Sequence, residues 1–448
     1  MLARLMSGIG LICLVAFAWA LSENRKAISW RLVLWGIGLQ IFFAVILLPT
    51  PLQTKLIAPI VHQIVRIISF GKMEVSGRLD ELFFQAMRAV VELLTDATLK
   101  GSQFVFGNLA TDPSYGATVA FQVLPVIILV AALSAVGYHF GIIPRIVRGI
   151  ARLMRKTLKT SGAETFGAAL LIFLGIESLT AIRTYLKSMT ESELLTVMTA
   201  FMATIAGSVM VVYATLGAEP GHLLTASFMS APAAIVIAKI LVPETQLPVS
   251  ASGKPITVEK ESTNVIEAAG KGAMDGLNLA LNVAAMLIAF LGMIYILDVL
   301  VGWTTRPILQ FILTPLARNW GSNLPKALHL KDIFGVVFAP FALLMGVPKA
   351  DIIEVGKLLG TKTILNEFLA YVDLQNVRQS LHPRSYLIAL YALCGFANPG
   401  SLGILIAGMT VLAPERSKDI TRLGVLALVG GTLACFMTAC IVGVLLYE

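Results

Sequence analysis

The chain has 448 residues, of which 57% are hydrophobic and 13% charged, with a formal net charge of +8. That balance excludes a soluble domain of this size and fits a polytopic α-helical membrane protein, in which excess positive charge marks loops on one side of the bilayer rather than nucleic-acid binding. Four cysteines in apolar stretches and five scattered histidines give neither a disulfide framework nor a metal-ligand spacing.

Residues 7–21 and 33–50 read as the first two spans. The first is expected to be retained, because Ser22-Glu23-Asn24-Arg25-Lys26 follows it in place of a small-residue cleavage pattern. Arg25, Lys26 and Arg31 stand against Glu23 in the loop between the spans, which puts that loop in the cytoplasm and the N-terminus outside. Residues 55–101 alternate apolar and charged positions at helical spacing. They read as one or two interfacial helices, with a short span as the alternative. Residues 117–139 form a third span running inward. Behind it Arg145, Arg148, Arg152 and Arg155 step by three and four, giving a helix with a basic face on the cytoplasmic leaflet.

Residues 165–187 are long enough to span but hold Gly175, Glu177 and Ser178 near their middle. As a span they would put Arg183 and Lys187 outside. As a re-entrant hairpin of two half-helices, each ~15 Å long, they keep both basic flanks in the cytoplasm. The hairpin is the preferred reading, and a carboxylate at that depth is a functional-site candidate. Residues 194–216 then run outward through a small-residue centre, Thr204-Ile205-Ala206-Gly207-Ser208-Val209, and residues 222–241 return. A cytoplasmic linker, 243–271, leads to a long span, 277–301, whose Asn282 and Asp298 are expected to face other helices. After an amphipathic connection over 307–330, residues 334–347 and 351–365 lead to Asn366-Glu367 and a short return limb, 368–372. This is a second hairpin, entered from the outer side.

Residues 385–413 form a span broken at its centre by Gly395-Phe396-Ala397-Asn398-Pro399-Gly400-Ser401-Leu402-Gly403. Pro399 donates no backbone hydrogen bond and drives Asn398 out of helical geometry. Unwound backbone at mid-membrane survives only inside protein or beside a wet cavity. A kink that merely packs through small residues is one reading, and a substrate site is the other. Residues 423–446 close the chain. Hairpin, broken span and span thus occur twice, over 165–241 and 351–446, in opposite orientation, as in secondary transporters built from inverted repeats. The expected fold is an all-α polytopic membrane protein of about eight transmembrane helices plus two re-entrant hairpins. It divides into an N-terminal scaffold (1–162), transport repeat 1 (163–242), a linker with a tilted scaffold span (243–332) and transport repeat 2 (333–448). No phosphate-binding glycine loop and no nucleophile–base or metal-spaced set appears, so neither ATP-driven transport nor an enzyme is expected.

The motifs Ser22-Glu23-Asn24-Arg25-Lys26, Leu365-Asn366-Glu367-Phe368-Leu369-Ala370-Tyr371 and Leu393-Cys394-Gly395-Phe396-Ala397-Asn398, in this order, resemble those of the concentrative nucleoside transporters. The resemblance implies a homotrimer in the plasma membrane, the inner membrane of a bacterium, that carries nucleosides inward on a sodium or proton gradient. It implies that Glu367, Asn398 and Ser401 hold the ribose, that Phe396 and Val209 lie beside the substrate, and that the tip Gly175, Ile176, Glu177 faces the nucleobase. Ile176 stands where the family carries Gln-Thr, so ordinary base reading is not expected. Thr204 and Ile205 match hydroxyl and carbonyl ligands of the family's sodium ion, but Leu171 stands where sodium-coupled members place an asparagine. The expected coupling ion is therefore H+, with Na+ as the alternative, and Glu177 or Glu367 is the candidate proton carrier, since burial favours a carboxyl's neutral form. No cofactor is expected. The function read here is symport of a nucleoside or related ribosyl compound. The alternatives are an exporter or exchanger of a related metabolite, or a non-transporting receptor on the same fold.

Overall fold

The computed structural model describes residues 2–48, 79–111, 119–248, 262–307 and 329–446, and their regular elements are all helical, with no strand among them. Seven helical stretches among them are long and apolar enough to cross a membrane: Leu2–Ala20, Trp30–Leu47, Ala120–His139, Glu191–Thr215, Pro220–Leu241, Val265–Arg306 and Pro414–Leu445. The eighth is the span interrupted over 394–398, made of α15 (Pro383–Leu393) and α16 (Pro399–Leu412). This matches the helix count read from the sequence. Parts of the expected segments 33–50, 55–101, 117–139, 243–271 and 307–330 lie outside the described residues, at 49–78, 112–118, 249–261 and 308–328.

In chain order, α1 (Leu2–Ala20) and α2 (Trp30–Leu47) flank the core, and α3 (Leu79–Phe106) is the amphipathic helix expected within 55–101. α4 (Leu124–His139) and the long α11 (Val265–Pro307) form a scaffold pair. They approach closely where α11 carries glycine: a Cβ on Gly272 would lie 2.6 Å from that of Ala135. α11 begins well before the expected span at 277, because its first turns continue this packing. Asp298 accepts from the Leu330 backbone at 2.6 Å, as expected of a residue facing another helix. Asn282 departs from expectation: it is exposed in the single chain. α5 (Ile142–Leu158) is the predicted basic amphipathic helix.

The first hairpin consists of α6 (Gly162–Leu170), a loop, a 3-10 turn over Ile176–Ile182 and α7 (Arg183–Leu186). Its two ends meet, which settles the choice between hairpin and span. Ser161 caps α6 and Thr190 caps α8 (Glu191–Ala203), each in a reciprocal box with a glutamate three residues on. The Ser161 hydroxyl also donates to Glu193, so the entry and exit of the hairpin lie on one face. Lys239, near the end of α10 (Pro220–Leu241), joins them there by pairing with Glu164 at 2.8 Å and Glu244 at 3.1 Å.

The second hairpin is built from α13 (Ile352–Gly360), a wide turn over Thr361–Leu365 and α14 (Glu367–Asn376). Its ends also meet: Asp351 accepts from the His382 backbone at 2.9 Å and the Ser385 hydroxyl at 2.6 Å. That junction shares its side with the buried Arg384. The guanidinium ties α12 (Leu330–Leu344) to α1 and α17 (Ser417–Leu445) through Gly346 O, Ser7 Oγ and Gly443 O. The two hairpins thus enter from opposite ends of the bundle, as an inverted repeat requires.

Candidate functional site

Both spans that follow a hairpin break where the sequence softens. α8 stops at Ala203 and α9 (Gly207–Thr215) restarts after Thr204-Ile205-Ala206. α15 stops at Leu393, and α16 restarts at Pro399. The breaks touch. A Cβ on Gly395 would sit 2.6 Å from Cys435 Sγ, 2.9 Å from Met202 O and 3.0 Å from the Ala203 carbonyl carbon, so only glycine allows this approach.

Two asparagines then aim half-helix N-termini into the gap. Asn366 Oδ1 accepts from the Leu369 backbone at 2.9 Å to start α14, and Asn398 Oδ1 accepts from the Ser401 backbone at 2.9 Å to start α16. Pro399 takes the first helical position, where a missing N–H costs nothing. The Pro399-Gly400 pair therefore leaves the asparagine cap intact. With its oxygen fixed, the Asn398 amide can only donate, and it does so to Glu367 Oε2 at 2.6 Å and to Ser401 Oγ at 3.1 Å. The Tyr213 hydroxyl donates to Glu367 Oε1 at 2.9 Å.

A cavity of about 90 Å³ opens onto this group. Of the residues singled out in the sequence, Gly175, Ile176, Val209, Glu367, Phe396 and Ser401 line it, and Asn398 is fully buried behind them. Glu177 follows Ile176 on the 3-10 turn, and its side chain lies outside what is described. Thr204 and Ile205 form the first break. The Thr204 hydroxyl donates to its own helix at Ala200 O, 2.8 Å away, and Leu171 is buried. The Gly207 N–H ties that break to the first-hairpin loop at Phe173 O, 2.9 Å away. Among the described residues no three His, Cys, Asp or Glu side chains gather as a metal site.

Sequence reading had missed Tyr213 and Phe201. A tyrosine in an otherwise apolar half-helix needs a partner for its hydroxyl, which was the available signal for Tyr213. Phe201 carried none; its ring lies 5.5 Å from that of Phe396, and both line the cavity. Ile127, Leu279, Val283, Met286 and Leu287 of the scaffold complete an apolar wall. A second cavity of about 100 Å³ shares Ala206 with the first and carries more polar side chains than it does, with Ser178, Thr180, Ser208, Tyr138 and Asp275 among its lining. It lies toward the end of the bundle that carries His139 and Lys271.

The comparisons agree with this geometry. A family model described as the C-terminus of a Na+ dependent nucleoside transporter matches residues 222–443, and its N-terminal counterpart matches residues 9–73. A model named Gate, described as nucleoside recognition, matches residues 120–220. Nucleoside permease NupC of Helicobacter pylori is 33% identical over 452 residues, covering 98% of this chain and 97% of its own. The chain belongs to the concentrative nucleoside transporter family. Within that family, solute carrier family 28 member 3 of Mus musculus is 37% identical over 461 residues, 99% of this chain and 59% of that protein. The chain spans about three fifths of the length of the mammalian relatives it matches. The transporter CNTnw, solved in an inward-facing substrate-bound state, superposes with a TM-score of 0.83 at 32% identity, covering 99% of this chain and 98% of its own. These relatives are membrane transporters and not enzymes.

Proposed function

We propose that the chain is a cation-coupled symporter that imports a nucleoside or a related ribosyl compound. One observation carries the reading: a buried carboxylate, Glu367, is held by one donor on each oxygen at the wall of a cavity. Each carboxylate oxygen has two lone-pair sites, so one on each is left for the vicinal hydroxyls of a ribose. The Ser401 hydroxyl adds a group that can donate or accept. Around the rest of the cavity Ile176, Val209, Phe201 and Phe396 offer surface for a planar base without fixed donors. The sugar therefore fixes orientation, and tolerance of several bases follows.

Proton coupling is the favoured drive, because Leu171 supplies no oxygen to the first break and the Thr204 hydroxyl already donates within its helix. Glu367 and Glu177 are its candidate carriers. The basic residues Arg25, Lys26, Arg31, Arg145, Arg148 and Arg152 argue for a cytoplasmic first-hairpin face, with the N-terminus outside, in the plasma membrane or bacterial inner membrane. The exposed apolar residues Ile288, Leu291, Tyr295, Ile296, Val299 and Trp303 of α11 suit a homotrimer seam. Domain boundaries at 162, 242 and 332 follow the division into scaffold and repeats.

The test is uptake of tritiated uridine, adenosine and inosine by proteoliposomes under separately imposed proton and sodium gradients. Uptake driven by the proton gradient alone is expected. Uptake that needs sodium overturns the coupling assignment, and binding without uptake favours a receptor.

A further inference from the structure

α15 ends inside the protein, so its last carbonyls need donors there. The Tyr371 hydroxyl donates to Leu390 O at 2.9 Å, and the Cys394 backbone donates to Tyr391 O at 3.2 Å. Ala392 O takes Lys362 Nζ at 2.8 Å. Lys362 is completely buried, in the wide turn that precedes the Asn366 cap. A buried ammonium is expensive unless negative charge meets it. The C-terminal end of a helix supplies such charge. Packing alone does not call for lysine, because methionine would fill a similar volume without a charge.

Its position suggests the role. Lys362 stands four residues before Asn366, the cap of the second hairpin's return limb. Leu171 stands four residues before Gly175, the cap of the first hairpin's return limb. The two are equivalent in the inverted repeat: Lys362 holds Ala392 O at the second break, and Leu171 lies two residues before Phe173, whose carbonyl accepts from Gly207 at the first. At the first break Thr204 and Ile205 stand where the family resemblance puts ligands of an exchangeable sodium ion. We propose that Lys362 is the resident cation of the second repeat. Its tethered ammonium holds the hairpin tip against the end of α15, so that Glu367 meets Asn398 with no ion drawn from solution. Lys362 is thus a positioning residue that acts through Ala392. The inference rests on the nucleoside reading only for its functional readout.

The test uses the full purified chain carrying Lys362→Met or Lys362→Ala. Equilibrium binding of tritiated uridine, adenosine and inosine is expected to weaken at least about tenfold in both. In the alanine variant n-butylammonium is expected to restore binding, while n-butanol, of similar shape but neutral, does not. Binding by the methionine variant within about twofold of the parent overturns the proposal, and so does equal rescue by butanol. Hydrogen exchange separates this test from the nucleoside reading. Peptides covering 361–376 are expected to exchange at least about tenfold faster in the methionine variant, with 162–182 unchanged. Unaltered exchange there overturns the proposal even when the parent binds none of the three nucleosides, a result that by itself rejects only the substrate assignment.

Discussion

Glu367→Gln tests the ribose site with little disturbance, because its neighbours dictate how the amide must sit. Asn398 Oδ1 is held by the Ser401 backbone, so its Nδ2 can only donate toward position 367. The new carbonyl must therefore face Asn398, and the new NH₂ must face Tyr213, whose hydroxyl can rotate to accept. The fold keeps its hydrogen bonds, and the cavity exchanges an acceptor for a donor and loses a negative charge. A hydrogen bond to a charged group contributes ~1.5–3 kcal/mol. At ~1.4 kcal/mol per decade, Kd for a ribonucleoside should rise ~10- to ~150-fold. The assay is equilibrium binding of tritiated uridine beside its 2′,3′-dideoxy analogue, with the thermal midpoint as a check on folding. The dideoxy compound, lacking the hydroxyls, should bind parent and variant alike. Uridine affinity held within about threefold, or an equal loss for both ligands, would refute the assignment of Glu367 to the sugar.

Three further outcomes follow from the same geometry. Gly395→Ala should force the two breaks apart, since its Cβ would lie 2.6 Å from Cys435 Sγ and 2.9 Å from Met202 O. A cost of ~1–3 kcal/mol is expected in thermal stability, with uptake lost, and trimming Cys435 to alanine should not restore it because backbone also blocks the Cβ. Leu171→Asn restores the asparagine that the family resemblance places there in sodium-coupled members, and nucleoside affinity should become stronger in sodium chloride than in choline chloride. Equal affinity in the two salts would remove the first break as a cation position. Arg384→Met strips donors from Gly346 O, Ser7 Oγ and Gly443 O at once. A drop in stability of ~3 kcal/mol or more is expected in the melting curve, with substrate affinity in the surviving fraction unchanged.

The sequence announced the helices and breaks because the bilayer punishes exceptions. Gly175, Gly395 and Pro399 stand out only against apolar runs that would otherwise continue. The re-entrant first hairpin was legible as a conflict between length and flanking charge, at Arg145 on one side and Arg183 on the other. What closed it, the Ser161 hydroxyl on Glu193, joins residues too far apart for local pattern to connect. Tyr213 escaped for the same reason, since its partner Glu367 lies in the other repeat. α11 was read too short because the hydropathy of 277–301 marks the membrane and not the helix, which continues on its packing against α4. Asn282 was assigned a helix neighbour on polarity alone, and one chain does not supply it.

The two repeats are tied across, not merely placed side by side. Tyr213 of the first broken span reaches Glu367 of the second hairpin, and Ile176 of the first hairpin lies under α16, where a Cβ on Gly408 would come within 2.6 Å of it. Gly395 joins the breaks themselves. Separating any one of these parts would unpair buried polar groups or open a void, each costing of order 1–3 kcal/mol. The scaffold side is different: Ile127, Leu279, Val283, Met286 and Leu287 offer the cavity no donor. A shift of the core along that wall exchanges one apolar contact for another. Passage of the ligand between the two sides is therefore expected to move both hairpins and both broken spans as one body against α4 and α11. Cysteines at Val209 and Val283, which line the cavity from core and scaffold, test this in a chain whose exposed Cys13 is replaced. A short bifunctional thiol reagent joining them should abolish uptake in proteoliposomes. A reagent joining cysteines at Lys187 and Glu415, which pair at 3.1 Å between the end of the first hairpin and the end of the second broken span and lie outside the cavity, should leave uptake intact. Uptake that survives the first cross-link and fails with the second would mean that the core comes apart during transport.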